Sequence, residues 1–340
     1  MLYFCIVPHQ EIFPKEHSTG IMLHVSELLA KKWAIELGYA RAWYPTLMQM
    51  LHGNRSVIFG GQEHNDTRDF GKSRAESKPY FALMTTGSST IEIDGDIKDI
   101  EKVADGTVAI IPVKGPIMRE DGWSSYGTES KANFLKAIYE SPNIKGVVLD
   151  INSGGGEVDG TMAFANVIKK RNKPVVALVN SIAASAAYWI AQNADTILMN
   201  DSTSQVGSIG VMMTFLDDQK YWEDMGIKWV DIIADKSQDK NKGYFDALKG
   251  KYQTIKNESL NPLREMFAQA VIDARGTKID LEAENVLSGK MYFAAATPSG
   301  NKSAIQVGLA DGIGDMEAAI NQVLKLADTS KYARQTINNF

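Results

Sequence analysis

Three groups of residues in this chain could carry chemistry, and they follow one another in order. First comes Asn152-Ser153-Gly154-Gly155-Gly156, then Ser185 within Ala183-Ala184-Ser185-Ala186-Ala187, then the lysines Lys236, Lys240 and Lys242. A serine hydroxyl becomes a nucleophile when a base removes its proton. Backbone amides left bare by glycine or small residues hold the oxyanion that forms when such a nucleophile attacks a carbonyl. Together these parts describe acyl transfer. No histidine follows His64, so a Ser-His-Asp triad built within the region around Ser185 is excluded. The base left for such a serine is a neutral lysine, kept unprotonated by burial or by a neighbouring cation. On spacing alone Lys236, Lys240 and Lys242 stand equal, and any one lysine in such a charged run has a solvated surface role as its default. The glycine run is not GxGxxG and no Walker lysine follows it, which argues against dinucleotide and phosphate-loop sites. A tight turn and a helix-capping serine would use the same residues without catalysis.

The elements that must position these residues read as alternating strands and helices. Residues 108–113, 145–152 and 196–199 read as strands, and 174–179 is an apolar, β-rich run of the kind covered on both faces. Residues 129–140, ended by Ser141-Pro142, and residues 161–170 have helical patterning. The strand 145–152 runs straight into the glycines, and 174–179 leads to Ser185 at or near the first turn of an alanine-rich helix over 183–194. A small-residue loop follows at Gly207-Ser208-Ile209-Gly210, and 230–234 reads as a further strand just before the lysines. Strand–helix order with short loops implies a parallel sheet with helical crossovers. The first 85 residues differ: 21–52 has helical spacing broken by Pro45, and 60–80 is polar, suggesting an N-terminal helical extension and linker. A helix over 315–327 and a polar tail close the chain.

Composition bounds the partners. The chain has 340 residues, 44% of them hydrophobic, and a net charge of −5, enough for a large α/β domain and unsuited to nucleic acid as the main partner. One cysteine, Cys5, cannot form an internal disulfide and fits a reducing cytoplasm. The five histidines, His9, His17, His24, His52 and His64, have irregular separations, so neither a metal nor a cofactor is expected. No run approaches the roughly 18 apolar residues of a membrane span, and the chain reads as lacking an anchor.

Taken together, Asn152-Ser153-Gly154-Gly155-Gly156, Ala183-Ala184-Ser185-Ala186-Ala187-Tyr188 with Ala194-Asp195, Gly207-Ser208-Ile209-Gly210-Val211 and Gly308-Leu309-Ala310-Asp311-Gly312 resemble the signal peptide peptidase A family of serine proteases, which includes phage prohead proteases. The resemblance runs from about Val108 to Gly314. It implies an α/β, Clp protease/crotonase-like fold in a domain over 86–314, between the extension 1–85 and the closing segment 315–340. It also implies Ser185 as nucleophile, Lys240 as general base with Lys236 as its rival, and the amides of Gly155 or Gly156 and of Ala186 as oxyanion donors. The family's glycine before the lysine is missing, and Tyr244-Phe245 stands in place of its Pro-Phe pair. Protein substrates follow: scaffold and capsid proteins and possibly the chain itself, cut by a homo-oligomer in the host cytoplasm or the prohead. The alternatives are a cytoplasmic signal-peptide-peptidase-like enzyme, an acyl-CoA enzyme of the crotonase type, or a non-catalytic capsid-associated subunit.

Overall fold

The computed structural model describes residues 33–35, 79–84, 90–93 and 100–329, except 123–124, 215–218, 225, 227, 229 and 284. Two compact units divide the chain, one made of Met1–Lys31 and Leu37–Thr67, the other of Lys32–Glu36 and Arg68–Phe340. All described residues belong to the second unit.

In chain order that unit begins with strands β1 (Trp33–Ile35), β2 (Tyr80–Met84), β3 (Thr90–Ile93) and β4 (Thr107–Lys114). Helix α1 (Thr128–Glu140) leads to β5 (Ile144–Ser153) and the short β6 (Gly155–Glu157). Helix α2 (Thr161–Lys169) precedes β7 (Val175–Ala184), α3 (Ala186–Ala191), β8 (Thr196–Met199) and β9 (Gln205–Gly207). The remainder holds α4 (Gln219–Asp224), α5 (Lys242–Leu248), α6 (Asn261–Arg275), β10 (Met291–Phe293), β11 (Gly312–Ile313) and α7 (Met316–Ala327). The main sheet has the order β10-β9-β7-β5-β4-β2-β3, with β8 added beside β7 and β11 beside β8. Its centre is parallel, β4 to β5 to β7 to β8 and β9, while β2, β3 and β10 join antiparallel. Strand β1 lies outside this sheet and pairs with β6.

The central strands are apolar throughout because both faces are covered. Side chains alternate between faces: Val108, Ile110, Val148, Val176 and Leu178 pack with Ala319, Ile320 and Val323 of α7. Ala109, Ile111, Leu149, Ile151, Ala177 and Val179 belong to the core on the other face, with Leu135, Phe164 and Trp189 from α1, α2 and α3. Each of these large side chains is fully buried, which stabilises by about 1.5–3 kcal/mol apiece.

The expected strands and helices between 108 and 199 and the helix over 315–327 are present with small shifts at their ends. Strand β7 runs on to Ala184, so the helix after Ser185 is the six-residue α3 rather than one over 183–194. The strand expected at 230–234 does not form: the segment is irregular, with Val230 70% and Ile232 92% exposed. An extended run keeps strand structure when a neighbour pairs with its backbone, and this segment belongs to no ladder of the sheet. The two helices expected within 21–52 lie outside the described residues, apart from 33–35, which are strand. The histidines and Cys5 also lie outside them. The sheet begins at β2, ahead of the expected boundary at residue 86.

Candidate active site

Strands β5 and β7 end side by side, with Ser153 paired to Ala183, and β9 flanks β7 with Val206 opposite Ala183 and Gly207 opposite Ala184. Beyond Ala184 the backbone turns at once. Ser185 adopts φ 56° and ψ −119°, the conformation of the first central residue of a type II′ turn, which normally selects glycine. Holding a serine there costs about 1–3 kcal/mol and persists because the surroundings over-determine it. The Ser185 amide donates to Gly207 O at 2.8 Å and the Ser185 carbonyl accepts from Trp189 N at 2.9 Å. Helix α3 is locked in turn: Trp189 stacks on Phe267 of α6 at 4.4 Å and 3°, and Tyr188 Oη donates to Leu309 O at 2.8 Å. Burial pushes the pKa of that Tyr188 hydroxyl far up. Ser185 is 1% exposed, and its Oγ donates to Gly210 O at 3.4 Å.

The motif Gly207-Ser208-Ile209-Gly210 thus wraps the serine. Position 207 must be glycine: its φ is 131°, and a Cβ would stand 2.3 Å from Lys290 O. The closing motif 308–312 also acts through α3. Leu309 O receives the Tyr188 hydroxyl, while Asp311 accepts from Ile197 N, Arg275 and Lys278. Burial raises the Asp311 pKa, but the hydrogen bonds and charge of Arg275, followed by Lys278, outweigh it and hold the carboxyl below its ordinary value.

The glycine strand β6 presents two different edges. On one, Ile117 N donates to Gly155 O at 2.9 Å and Ile117 O accepts from Glu157 N at 2.8 Å. A Cβ at Gly156 would lie 1.9 Å from Ile117 O, so this approach requires glycine. The Gly155 amide donates to Ser153 Oγ at 3.1 Å, and that hydroxyl in turn donates to Gly115 O at 2.6 Å. The Ala186 amide belongs to the first helical N–H groups, which find no acceptor within a helix. Of the three expected oxyanion donors, Gly155 therefore has an internal acceptor and Gly156 lies opposite Ala34 of β1, whereas the Ala186 amide has no acceptor within α3.

Lys236 and Lys240 lie in a series of exposed turns before α5, and Lys242 pairs with Asp239 at 3.8 Å. Neither Lys236 nor Lys240 is hydrogen-bonded to Ser185 within the single chain. A lysine that sequence reasoning passed over is Lys131. It is 6% exposed, its ammonium donates to Tyr126 O, and burial pushes its pKa down to about 8. Its place four residues before Leu135 and seven before Ile138, on the same face of α1, was the available signal. Lys131, Tyr126, Ile117 and Ile190 line a narrow cleft between the β4–α1 connection and α3. No helix among the described residues is long and apolar enough to cross a membrane.

The model of peptidase family S49 matches residues 167–330, and that of Clp protease matches 128–200. A candidate protease of Methanocaldococcus jannaschii is 30% identical over 58% of this chain and 61% of its own. The head-tail preconnector protein of Enterobacteria phage P21 is 28% identical over 65% of this chain and 43% of its own. The capsid assembly protease C of Escherichia phage lambda is 27% identical over 66% of this chain and 50% of its own. The chain thus spans between about two fifths and three fifths of these relatives' lengths. The mostly parallel sheet with crossover helices is a Clp protease/crotonase-like α/β fold.

Proposed function

We propose, from the match of residues 167–330 to peptidase family S49 and from the setting of Ser185, that the chain is a serine endopeptidase with a Ser185–Lys240 dyad, acting in phage head maturation. The observation that carries the chemistry is Ser185 itself, held in a glycine-type conformation between the strand β7 and the amides of α3, beside the glycine strand. In this reading neutral Lys240 Nζ accepts the Ser185 proton while Oγ bonds to the peptide carbonyl carbon. The amides of Gly156, or Gly155, and of Ala186 hold the oxyanion. On collapse the C–N bond breaks, and the amine leaves with the proton from Lys240. Water then gives a proton to the same lysine, attacks the ester and releases the acid, and Ser185 recovers its proton.

An exposed ammonium must lose its water to serve as that base. The segment carrying Lys236 and Lys240 also exposes Val230 and Ile232, and a second copy packed on it would bury the apolar side chains and the lysine together. A homo-oligomer is accordingly part of the proposal. The names of the phage relatives, a head-tail preconnector and a capsid assembly protease, direct the choice of substrate to scaffold and capsid proteins.

The test is labelling by a fluorophosphonate probe together with hydrolysis of casein and of the scaffold protein encoded with this chain. Ser185→Ala and Lys240→Ala should each lose at least about 10³-fold, while Lys236→Ala and Lys131→Met keep activity. Full labelling of Ser185→Ala would sink the nucleophile, and loss with Lys236→Ala or Lys131→Met instead would move the base. Casein cleavage with an intact scaffold would leave a peptidase but remove the head-maturation role.

A further inference from the structure

Strand β1 is separated in sequence from the sheet, yet Trp33, Ala34 and Ile35 pair antiparallel with Glu157, Gly156 and Gly155. The five residues Lys32–Glu36 belong to the compact unit that carries Ser185, while the chain on either side of them belongs to the other unit. Main-chain polarity tells which groups hold β1. Ile117 uses Gly155 O and Glu157 N on its edge of β6. Polar groups of successive strand residues point to opposite edges, so the N–H and C=O of Gly156 face β1, where Ala34 is directly opposite.

Direction matters as well. Ser153 pairs with Ala183, and two residues further along each chain stand Gly155 and Ser185, so the Gly155 end of β6 is the end nearer the nucleophile. Strand β1 runs from the Glu157 level to the Gly155 level, toward that end. An extended peptide adding to an open strand edge gains affinity from main-chain hydrogen bonds. Here the edge is a strand whose two glycines put no side chain in the way.

We propose that the Gly156 edge of β6 is where a peptide substrate lies, and that Trp33–Ile35 occupies it as an internal, substrate-like ligand that competes with substrates. This rests on the peptidase reading of Ser185. The N-terminal segment then governs access to the site: a substrate gains the edge by displacing residues 33–35. A tethered competitor acts at an effective concentration of order millimolar, so peptides that bind more weakly than this are held off until the segment leaves.

The experiment uses the full chain with Ser185→Ala, which holds peptides uncut, and a fluorescein-labelled copy of residues 32–36. Adding Ala34→Pro removes the N–H that meets Gly156. By fluorescence anisotropy the double variant should bind the peptide at least about tenfold tighter than Ser185→Ala alone. Equal affinity, or no binding to the double variant, overturns the proposal. Should Ala34→Pro prevent folding, hydrogen exchange on Ser185→Ala decides. Millimolar unlabelled peptide should speed exchange at residues 33–35, and the same peptide N-methylated at its alanine should not. No change with either peptide, or an equal change with both, overturns it. Ser185-dependent hydrolysis without these effects keeps the peptidase and removes the internal ligand, and these effects without hydrolysis do the reverse.

Discussion

Replacing Ser185 by glycine should abolish fluorophosphonate labelling and stabilise the fold relative to alanine at the same position. Both variants lose the hydroxyl and its long 3.4 Å bond to Gly210 O, which contributes little at that length. They differ in the backbone: at φ 56° and ψ −119° alanine keeps the strain of the native serine, about 1–3 kcal/mol, and glycine does not. Against this, glycine adds freedom to the unfolded chain, worth about 0.4–1 kcal/mol. The balance favours Ser185→Gly over Ser185→Ala by about 1 kcal/mol, a rise in Tm of about 2 °C for a chain of this size. Thermal unfolding followed by circular dichroism, and urea titration of both variants side by side, read the difference. A Ser185→Gly chain that melts at or below Ser185→Ala would refute the claim that the turn stores strain.

Gly207→Ala drives a Cβ to 2.3 Å from Lys290 O at φ 131° and displaces the carbonyl that receives the Ser185 amide. It should cost at least about 2 kcal/mol in urea unfolding and reduce fluorophosphonate labelling tenfold or more. Arg275→Met leaves the partly buried Asp311 with Lys278 as its one cation, which should cost about 3 kcal/mol and, through Leu309 and Tyr188, loosen the helix after Ser185. Asp311 also sets a pH dependence. Its folded carboxyl is held below the unfolded value, so its stabilisation is complete above pH about 4 and is lost as pH falls through the folded value. The urea midpoint should decline below pH about 4 in the native chain, and this decline should flatten in Arg275→Met.

Much of the scaffold was legible because parallel strands covered on both faces must be apolar throughout, and β4, β5 and β7 are. The exclusion of a histidine base within the core was likewise a matter of composition. The run 230–234 has the same local pattern but no neighbour to pair with, and there the pattern misled. Lys131 lay inside a run read only as a helix, although its spacing from Leu135 and Ile138 placed it on the buried face.

By itself, then, the sequence determined the order of strands and helices, the presence of one serine at a strand-to-helix junction, and the need for a lysine if that serine is to react. Tertiary structure decided the rest. The strained turn at Ser185 exists because Gly207 and α3 grip it from both sides, and the Gly155 amide is occupied because Ser153 reaches back to it. The motif at 308–312 became a brace for the helix after Ser185 through Tyr188 and Arg275. Strand β1 is where it is because Gly156 had a free edge. Each of these depends on groups far apart in the chain meeting in space, and no local periodicity encodes which distant partner will satisfy a given amide or carbonyl.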